Sequence, residues 1–340
     1  MAAAYPELVW YAGHFWSETI FVVLLWAAID RLLAARPDGP PAPVLAAGLL
    51  WGLAILTRET ALYLLPVAAA WLAWPRTARA WRGAALFTAA CLAVVLPWTA
   101  RNYALAGGLV PVATRGSFNL WLANTDADWA AVYAEYEAVP DGEIARERHA
   151  REQAAAAIRA RLPWWPFEKA WRELPAFWGV NDHLVVHIER GAYRLPLAGR
   201  WGLALATVLA YVAVLALALP SAVPASRERG VRLLLALLAA YLAMHVAAFG
   251  SPRFRLPFVP VLLILAASTL SGGCRAALRM HERTLDRAAL IGLALAFAAC
   301  VGPSVRETFS HPAFRDAAGP RRPVVLVPAA TRQAGERRPS

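Results

Sequence analysis

The sequence predicts an all-α protein: a polytopic bundle of transmembrane helices with one mostly helical loop domain outside the membrane. Hydrophobic residues make up 59% of the 340 residues, the mean hydropathy is +0.44, and about eight apolar runs alternate with arginine-bearing loops. A chain this apolar exceeds what one soluble core would hold. The net charge of +11 does not indicate nucleic acid, because the arginines flank apolar runs instead of forming one patch.

The apolar runs set the order of elements. Crossing the hydrocarbon core takes about 20 helical residues, whereas the second and third runs have only about 13 or 14. These two therefore predict either a re-entrant hairpin or a turn below the membrane surface. The predicted segments are Leu8–Ile29, Val44–Leu56, Ala61–Trp74, Gly83–Thr99, Trp201–Leu219, Leu233–Phe249, Leu256–Leu270 and Ala288–Val301.

These segments divide the chain into four parts. Residues 1–100 are transmembrane segments with a short hairpin at Thr57-Arg58, residues 101–200 a loop domain, 201–303 transmembrane segments and 304–340 a basic, proline-rich tail. Arginine bias in short loops predicts orientation. The loops around Arg31, Arg79, Arg229 and Arg279 should be cytoplasmic, so the hairpin, the loop domain and the tail are exterior.

Two helices are predicted inside the loop domain. One follows Asp141, carries acids early and arginines late, and stops before Pro163. The next stretch, 164–178, interleaves aromatic rings with charges. It fits either a helix lying in the membrane interface or a helix packed on its own domain.

Arginines on the exterior side are the main candidate site residues. A guanidinium binds phosphate through a planar fork, so several converging near the bilayer surface would suit a lipid phosphate headgroup. For each one alone, headgroup anchoring or a structural ion pair is the alternative. The five are Arg58, Arg101, Arg115, Arg253 and Arg255.

Two carboxylates lie close to these arginines. Glu18 is inside the first apolar run, one turn after His14, and is expected first as an ion-pair partner for Arg58, with a base or metal ligand as alternatives. Glu59 compensates the charge of its neighbour Arg58.

Metal signals are weak. Asp126 and Asp128 have the DxD spacing of soluble nucleotide-sugar enzymes, but two aspartates in a polar loop are better explained by capping a helix near Trp129. His183 and His187 have ligand spacing without a specified third ligand. The sequence therefore requires no cofactor, although a divalent cation could bridge phosphate and carboxylates.

A family resemblance rests on several motifs in order. The stretch PWTARNY at residues 97–103, followed by TRGSFNLWLAN at 114–124, resembles bacterial GT-C glycosyltransferases, the relatives of protein O-mannosyltransferases and of the lipid A aminoarabinose transferase. Ser17-Glu18, the turn before Arg58, and Pro252-Arg-Phe-Arg255 also fit, over roughly residues 5 to 270. Ala123 departs from the family, which has glycine there.

The resemblance implies a polyprenyl-phosphate sugar donor and a lipid, glycan or protein acceptor at the exterior face of the bacterial plasma membrane. For such a donor we expect its phosphate to be bound by Arg58, Arg101, Arg253 and Arg255. The residues expected to support the site, by positioning Arg58 or by orienting the loop or the sugar, are Glu18, Glu59, Asn102, Asn119 and Asn124.

The family's first exterior loop, which carries its acidic base, should precede residue 5. We therefore expect an N-terminally truncated chain that is inactive alone. The alternatives are a lipid-linked sugar flippase or permease, and an O-antigen ligase or polymerase.

Overall fold

The computed structural model describes residues 2–36, 39–273 and 284–315, and this part of the chain is helical without a strand. Short 3-10 turns occupy Ala2–Ala4, Pro252–Phe258 and Pro312–Phe314, and a π-helical turn occupies Thr269–Gly273. The α-helices are α1 Pro6–Ala12, α2 Ser17–Ala34, α3 Ala42–Thr57, α4 Thr60–Ala73, α5 Ala78–Ala106, α6 Gly116–Asn124, α7 Trp129–Ala138, α8 Gly142–Ala160, α9 Trp165–Trp178, α10 His183–Glu189, α11 Leu197–Ala225, α12 Arg229–Ala247, α13 Val259–Ser268 and α14 Thr284–Ser310.

Five described helical segments are long and apolar enough to cross a membrane, which is compatible with a membrane-embedded protein. They are Ala78–Ala106, Leu197–Val223, Arg229–Ala247, Pro252–Ser271 and Arg287–Ser310. The sequence suggested about eight apolar segments. The difference lies in α2, which carries three charges, and in α3 and α4, which have only 16 and 14 residues.

The first predicted segment is not one helix. The chain leaves α1 at Gly13 and enters α2 through Trp16, whose backbone is extended. Ser17 and Glu18 then open α2, and an acidic residue in the first turn favours a helix start because it faces the positive end of the helix dipole. The break places Glu18 at a helix end instead of inside a continuous span.

The predicted hairpin is present as α3 and α4, joined at Arg58-Glu59. Helix α3 packs closely between α2 and α5 because it presents glycine to α5. A Cβ atom added at Gly48 would lie 2.7 Å from the Cβ of Ala90, and one at Gly52 would lie 2.8 Å from the carbonyl oxygen of Cys91. This contact fixes the charged end of the hairpin against the bundle.

Between the apolar helices, α6 to α8 form a small unit with its own core of Phe118, Trp121, Val132, Tyr136, Ala150 and Ala154. The helix predicted after Asp141 is confirmed as α8. Asp128 caps α7 by accepting from the Ala131 backbone N–H at 2.7 Å, as the sequence indicated. Helix α14 continues past the predicted boundary at 304, and residues 316–340 of the tail lie outside the described residues, as do Arg275, Arg279 and Arg283.

Candidate functional site

The candidate site is centred on Glu18, at the start of α2. Its carboxylate is buried, and two guanidinium groups from distant parts of the chain meet on one of its oxygens. Arg58 Nη1, from the end of α3, lies 2.8 Å from Glu18 Oε1. Arg253, from the turn Pro252–Phe258, contacts the same oxygen through Nε and Nη2. The ion pair expected between Glu18 and Arg58 is therefore present, and Arg253 joins it.

The two arginines are enclosed to different degrees. The side chain of Arg58 is 18% exposed and that of Arg253 is 33% exposed, against 3% for Glu18. The exposed Ser17 hydroxyl lies between the groups, accepting from Arg58 Nη1 at 3.3 Å and donating to Glu18 Oε2 at 3.3 Å. Since one carboxylate faces two cations, the cluster keeps one net positive charge on its open side.

An aromatic wall borders Arg253. Its guanidinium lies 4.9 Å from the ring centre of Trp16, in cation–π geometry. Trp16 packs edge-on against the imidazole of His183, with ring centres 5.1 Å apart. Burial and, next, the Arg253 charge lower the pKa of His183 to about 4. His183 is therefore neutral near pH 7.

Arg255 does not join this cluster, although it follows Arg253 by two residues. It is 2% exposed, donates to the carbonyl oxygens of Phe177 and Gly179, and lies 3.9 Å above the ring of Tyr211. Its nearest carboxylate is Glu7, at 3.7 Å. The expected role of Arg255 in phosphate binding does not fit this placement, because the guanidinium is enclosed by protein.

Buried carboxyl groups surround Arg255, apart from the cluster at Glu18. Glu7 and Asp182 are both buried, and loss of hydration raises the pKa of each carboxyl above its ordinary value despite the neighbouring guanidinium. Asp182 also caps α10 by accepting from the Val185 backbone N–H at 2.9 Å. Nothing in the sequence pattern singled out Glu7; only its contact with Arg255 does.

Arg101 lies elsewhere on the exposed surface, in the last turns of α5. Its guanidinium stands 4.8 Å above the ring of Trp98, and Nη1 donates to the side-chain oxygen of Asn102 at 3.3 Å. Asn102 in turn donates to the carbonyl oxygens of Val110 and Val112, at 3.2 and 3.1 Å. These contacts hold the loop that leaves α5.

The remaining predicted residues occupy different surroundings. Asn124 is fully buried, donates to Ala247 at 3.1 Å and accepts from Trp165 Nε1 at 2.7 Å, so it ties α6 to α9 and to the end of α12. Asn119 is exposed on α6. Glu59 is half-buried near Gly116, and Arg115 is exposed with a left-handed backbone at φ 79°.

The sequence pattern did not identify the buried ion pair that holds the loop before Arg253. Lys169 and Glu173 on α9 are each 1% exposed and lie 2.8 Å apart. Lys169 Nζ also donates to the carbonyl oxygen of Ala248 at 2.5 Å, and Glu173 Oε2 accepts from the Gly250 backbone N–H at 2.7 Å. Both contacts fall within five residues of Arg253, so α9 fixes the start of its turn. The i, i+4 spacing was the only signal, and it is equally typical of exposed pairs.

The histidine pair on α10 was the clearest metal signal in the sequence. His183 and His187 lie on one short helix with ring centres 6.2 Å apart, and His187 Nδ1 is 2.6 Å from the His183 carbonyl oxygen. Across residues 2–36, 39–273 and 284–315, no group of three or more His, Cys, Asp or Glu side chains is placed to hold a metal ion.

Comparison of the chain with protein-family models, with curated proteins and with solved structures found no match.

Proposed function

We propose that this chain is a glycosyltransferase of the bacterial plasma membrane that moves a sugar from a polyprenyl-phosphate donor to an acceptor at the exterior face. In this proposal about eight apolar segments lie in the membrane, and residues 101–200 form the exterior domain. The observation that carries it is the meeting of Arg58 and Arg253 on Glu18. The motifs around these residues support the same assignment.

The electrostatics of the cluster favour an anionic ligand. Two guanidinium groups offer donors beyond those that Glu18 accepts, and both are partly open to the outside. Glu18 fixes them in place before a ligand arrives, so less conformational entropy is lost on binding. The phosphodiester of the donor, and the phosphate monoester that leaves when the sugar is transferred, would each meet charge-assisted, planar donors of the kind that arginine provides.

The proposed reaction is a displacement at the sugar carbon that carries the phosphate. The acceptor oxygen or nitrogen forms a bond to that carbon, the carbon–oxygen bond to phosphate breaks, and the phosphate leaves with the electron pair. Arg58 and Arg253 stabilise the charge that develops on the leaving phosphate. The acceptor proton passes to a base to which we assign no residue of this chain.

Binding of an analogue of the leaving polyprenyl phosphate tests the proposal without requiring turnover. The full chain in lipid nanodiscs is titrated with farnesyl phosphate, a short polyprenyl monophosphate, and affinity is measured for wild type, Arg58→Gln and Arg253→Gln. Each substitution removes a charged hydrogen-bond donor worth about 1.5–3 kcal/mol, so affinity should fall about 10- to 100-fold.

The matched control is Arg31→Gln, because Arg31 pairs with Asp30 near the other end of the same helix α2. Its affinity should equal that of wild type. If Arg58→Gln and Arg253→Gln also bind like wild type, the cluster is a structural ion pair and the donor-binding assignment fails.

Two further measurements separate the alternatives. Translocation of a lipid-linked sugar across sealed vesicles without bond formation would favour a flippase. Tighter binding of farnesyl diphosphate than of the monophosphate would favour a ligase or polymerase.

A further inference from the structure

Three large aromatic side chains, one from the N-cap residue of α9 and two from its outer face, are left uncovered by the protein. Trp164, Phe167 and Trp171 are 66%, 69% and 87% exposed. Their spacing of three and four residues puts them on one side of the helix. A contiguous exposed aromatic face of this kind marks an interaction surface.

The rotation of α9 about its own axis is fixed by its opposite face. Lys169 and Glu173 are buried there and bind the Ala248 carbonyl oxygen and the Gly250 backbone N–H. Trp165 Nε1 donates to the side-chain oxygen of Asn124. Because these contacts hold the polar face inward, the three rings cannot turn into the protein.

The position of α9 relative to the apolar helices identifies what covers its rings. Ala248 directly follows α12, so the middle of α9 is fastened to the end of a candidate span. At the other end of α9, the ring of Trp178 packs edge-on against Phe297 of α14, at 4.6 Å between ring centres. Phe297 lies near the middle of the candidate span Arg287–Ser310, so the middle of α9 lies at the end of one candidate span and its last turn packs against the side of another.

Two features favour lipid over a second protein as the occupant. Helix α9 packs against α14 through Trp178 and Phe297, and the outward residues Ile291 and Leu295 of α14 are 60% and 65% exposed within a candidate span. Two of the three rings are tryptophan, which prefers the membrane–water boundary because its body is apolar and its N–H is polar.

We propose that α9 is an interfacial anchor whose aromatic face, Trp164, Phe167 and Trp171, lies in the headgroup and upper acyl region of the bilayer. Its inner face holds the chain immediately before Arg253. The anchor thus sets the depth of that loop relative to the membrane. This inference depends on the membrane location of the spans and not on the chemistry proposed for the arginines.

Spin labels at single cysteines test the anchor in vesicles of phosphatidylethanolamine and phosphatidylglycerol. In a cysteine-free background, Trp171→Cys and Phe167→Cys are labelled, and relaxation by oxygen, which concentrates in lipid, is compared with relaxation by a water-soluble nickel chelate. Both positions should show more relaxation by oxygen than by the chelate.

Two control positions give the relaxation expected in lipid and in water. Leu295→Cys, facing outward on a span, gives the lipid reference, and Arg151→Cys, exposed on the polar helix α8, gives the water reference. Labels at 171 and 167 that behave like the one at 151 would overturn the proposal, as would labels shielded from both relaxing agents, which would indicate a protein partner.

Discussion

Replacing Lys169 with methionine should destabilise the protein by about 3 kcal/mol, since it removes a buried charge from a buried partner. Lys169 Nζ donates to Glu173 Oε1 at 2.8 Å, to Ala123 at 3.0 Å and to Ala248 at 2.5 Å. Methionine fills similar volume but makes none of these hydrogen bonds.

The magnitude follows from what remains after the substitution. Glu173 still accepts from Arg172 Nε at 2.8 Å and from Gly250 at 2.7 Å, and the Ala123 oxygen still accepts from Arg172 Nη2 at 2.9 Å. Of the three oxygens that accept from Lys169 Nζ, only the Ala248 carbonyl oxygen has no second donor among these contacts. Breaking a buried ion pair costs about 3–5 kcal/mol, and these surviving contacts place the expected cost at the lower end.

The assay is denaturant unfolding in detergent micelles for wild type, Lys169→Met, Glu173→Leu and the double variant. The double variant should lose less than the sum of the single losses, because it leaves neither charge buried alone. Arg146→Met is the matched control. Arg146 pairs with Glu137 at 2.7 Å, but both side chains are about a third exposed, so its loss should cost under about 1 kcal/mol. Equal losses for Lys169→Met and Arg146→Met would refute the reasoning.

Two other predictions test packing and burial. Gly48→Ala should lower the unfolding free energy by about 1–3 kcal/mol, because the added Cβ would lie 2.7 Å from the Cβ of Ala90. Gly83→Ala is the control: no atom lies within 4 Å of its added Cβ, so it should be neutral or slightly stabilising. The two variants are compared by melting temperature, and equal values would contradict the close contact between α3 and α5. Burial raises the pKa of Glu7 and Asp182, so the folded chain binds protons that the unfolded chain has released. Protonation of Glu7 and Asp182 therefore adds to the unfolding free energy as pH falls from about 8 to about 5, whereas the lowered pKa of His183 acts in the opposite direction. The unfolding free energy of wild type minus that of Glu7→Gln should thus increase as pH falls, and a difference that does not vary with pH would contradict the assignment.

Local features were predictable from the sequence. Hydropathy located the apolar helices, the charged turn at Arg58 located the hairpin, and Asp128 and Asp141 marked the starts of α7 and α8. These predictions succeed because helix formation, capping and lipid compatibility depend on residues within one or two turns. The sequence did not show that the helix is interrupted before Ser17, or that α2 is too charged to qualify as a membrane span, because Glu18 stands inside an otherwise apolar run.

Contacts between distant segments decided the rest. Arg253 meets Glu18 across 235 residues of sequence, while Arg255, two positions on, turns into the interior toward Glu7. Two arginines of one short turn thus differ in exposure, and the sequence pattern does not show which of the two is buried. The burial of Lys169 and the exposure of Trp171 likewise reverse what charge and hydropathy predict for a helix in water. The contacts of α9 with Ala248, Gly250 and Phe297 determine which of its faces is covered, and only the tertiary structure supplies them.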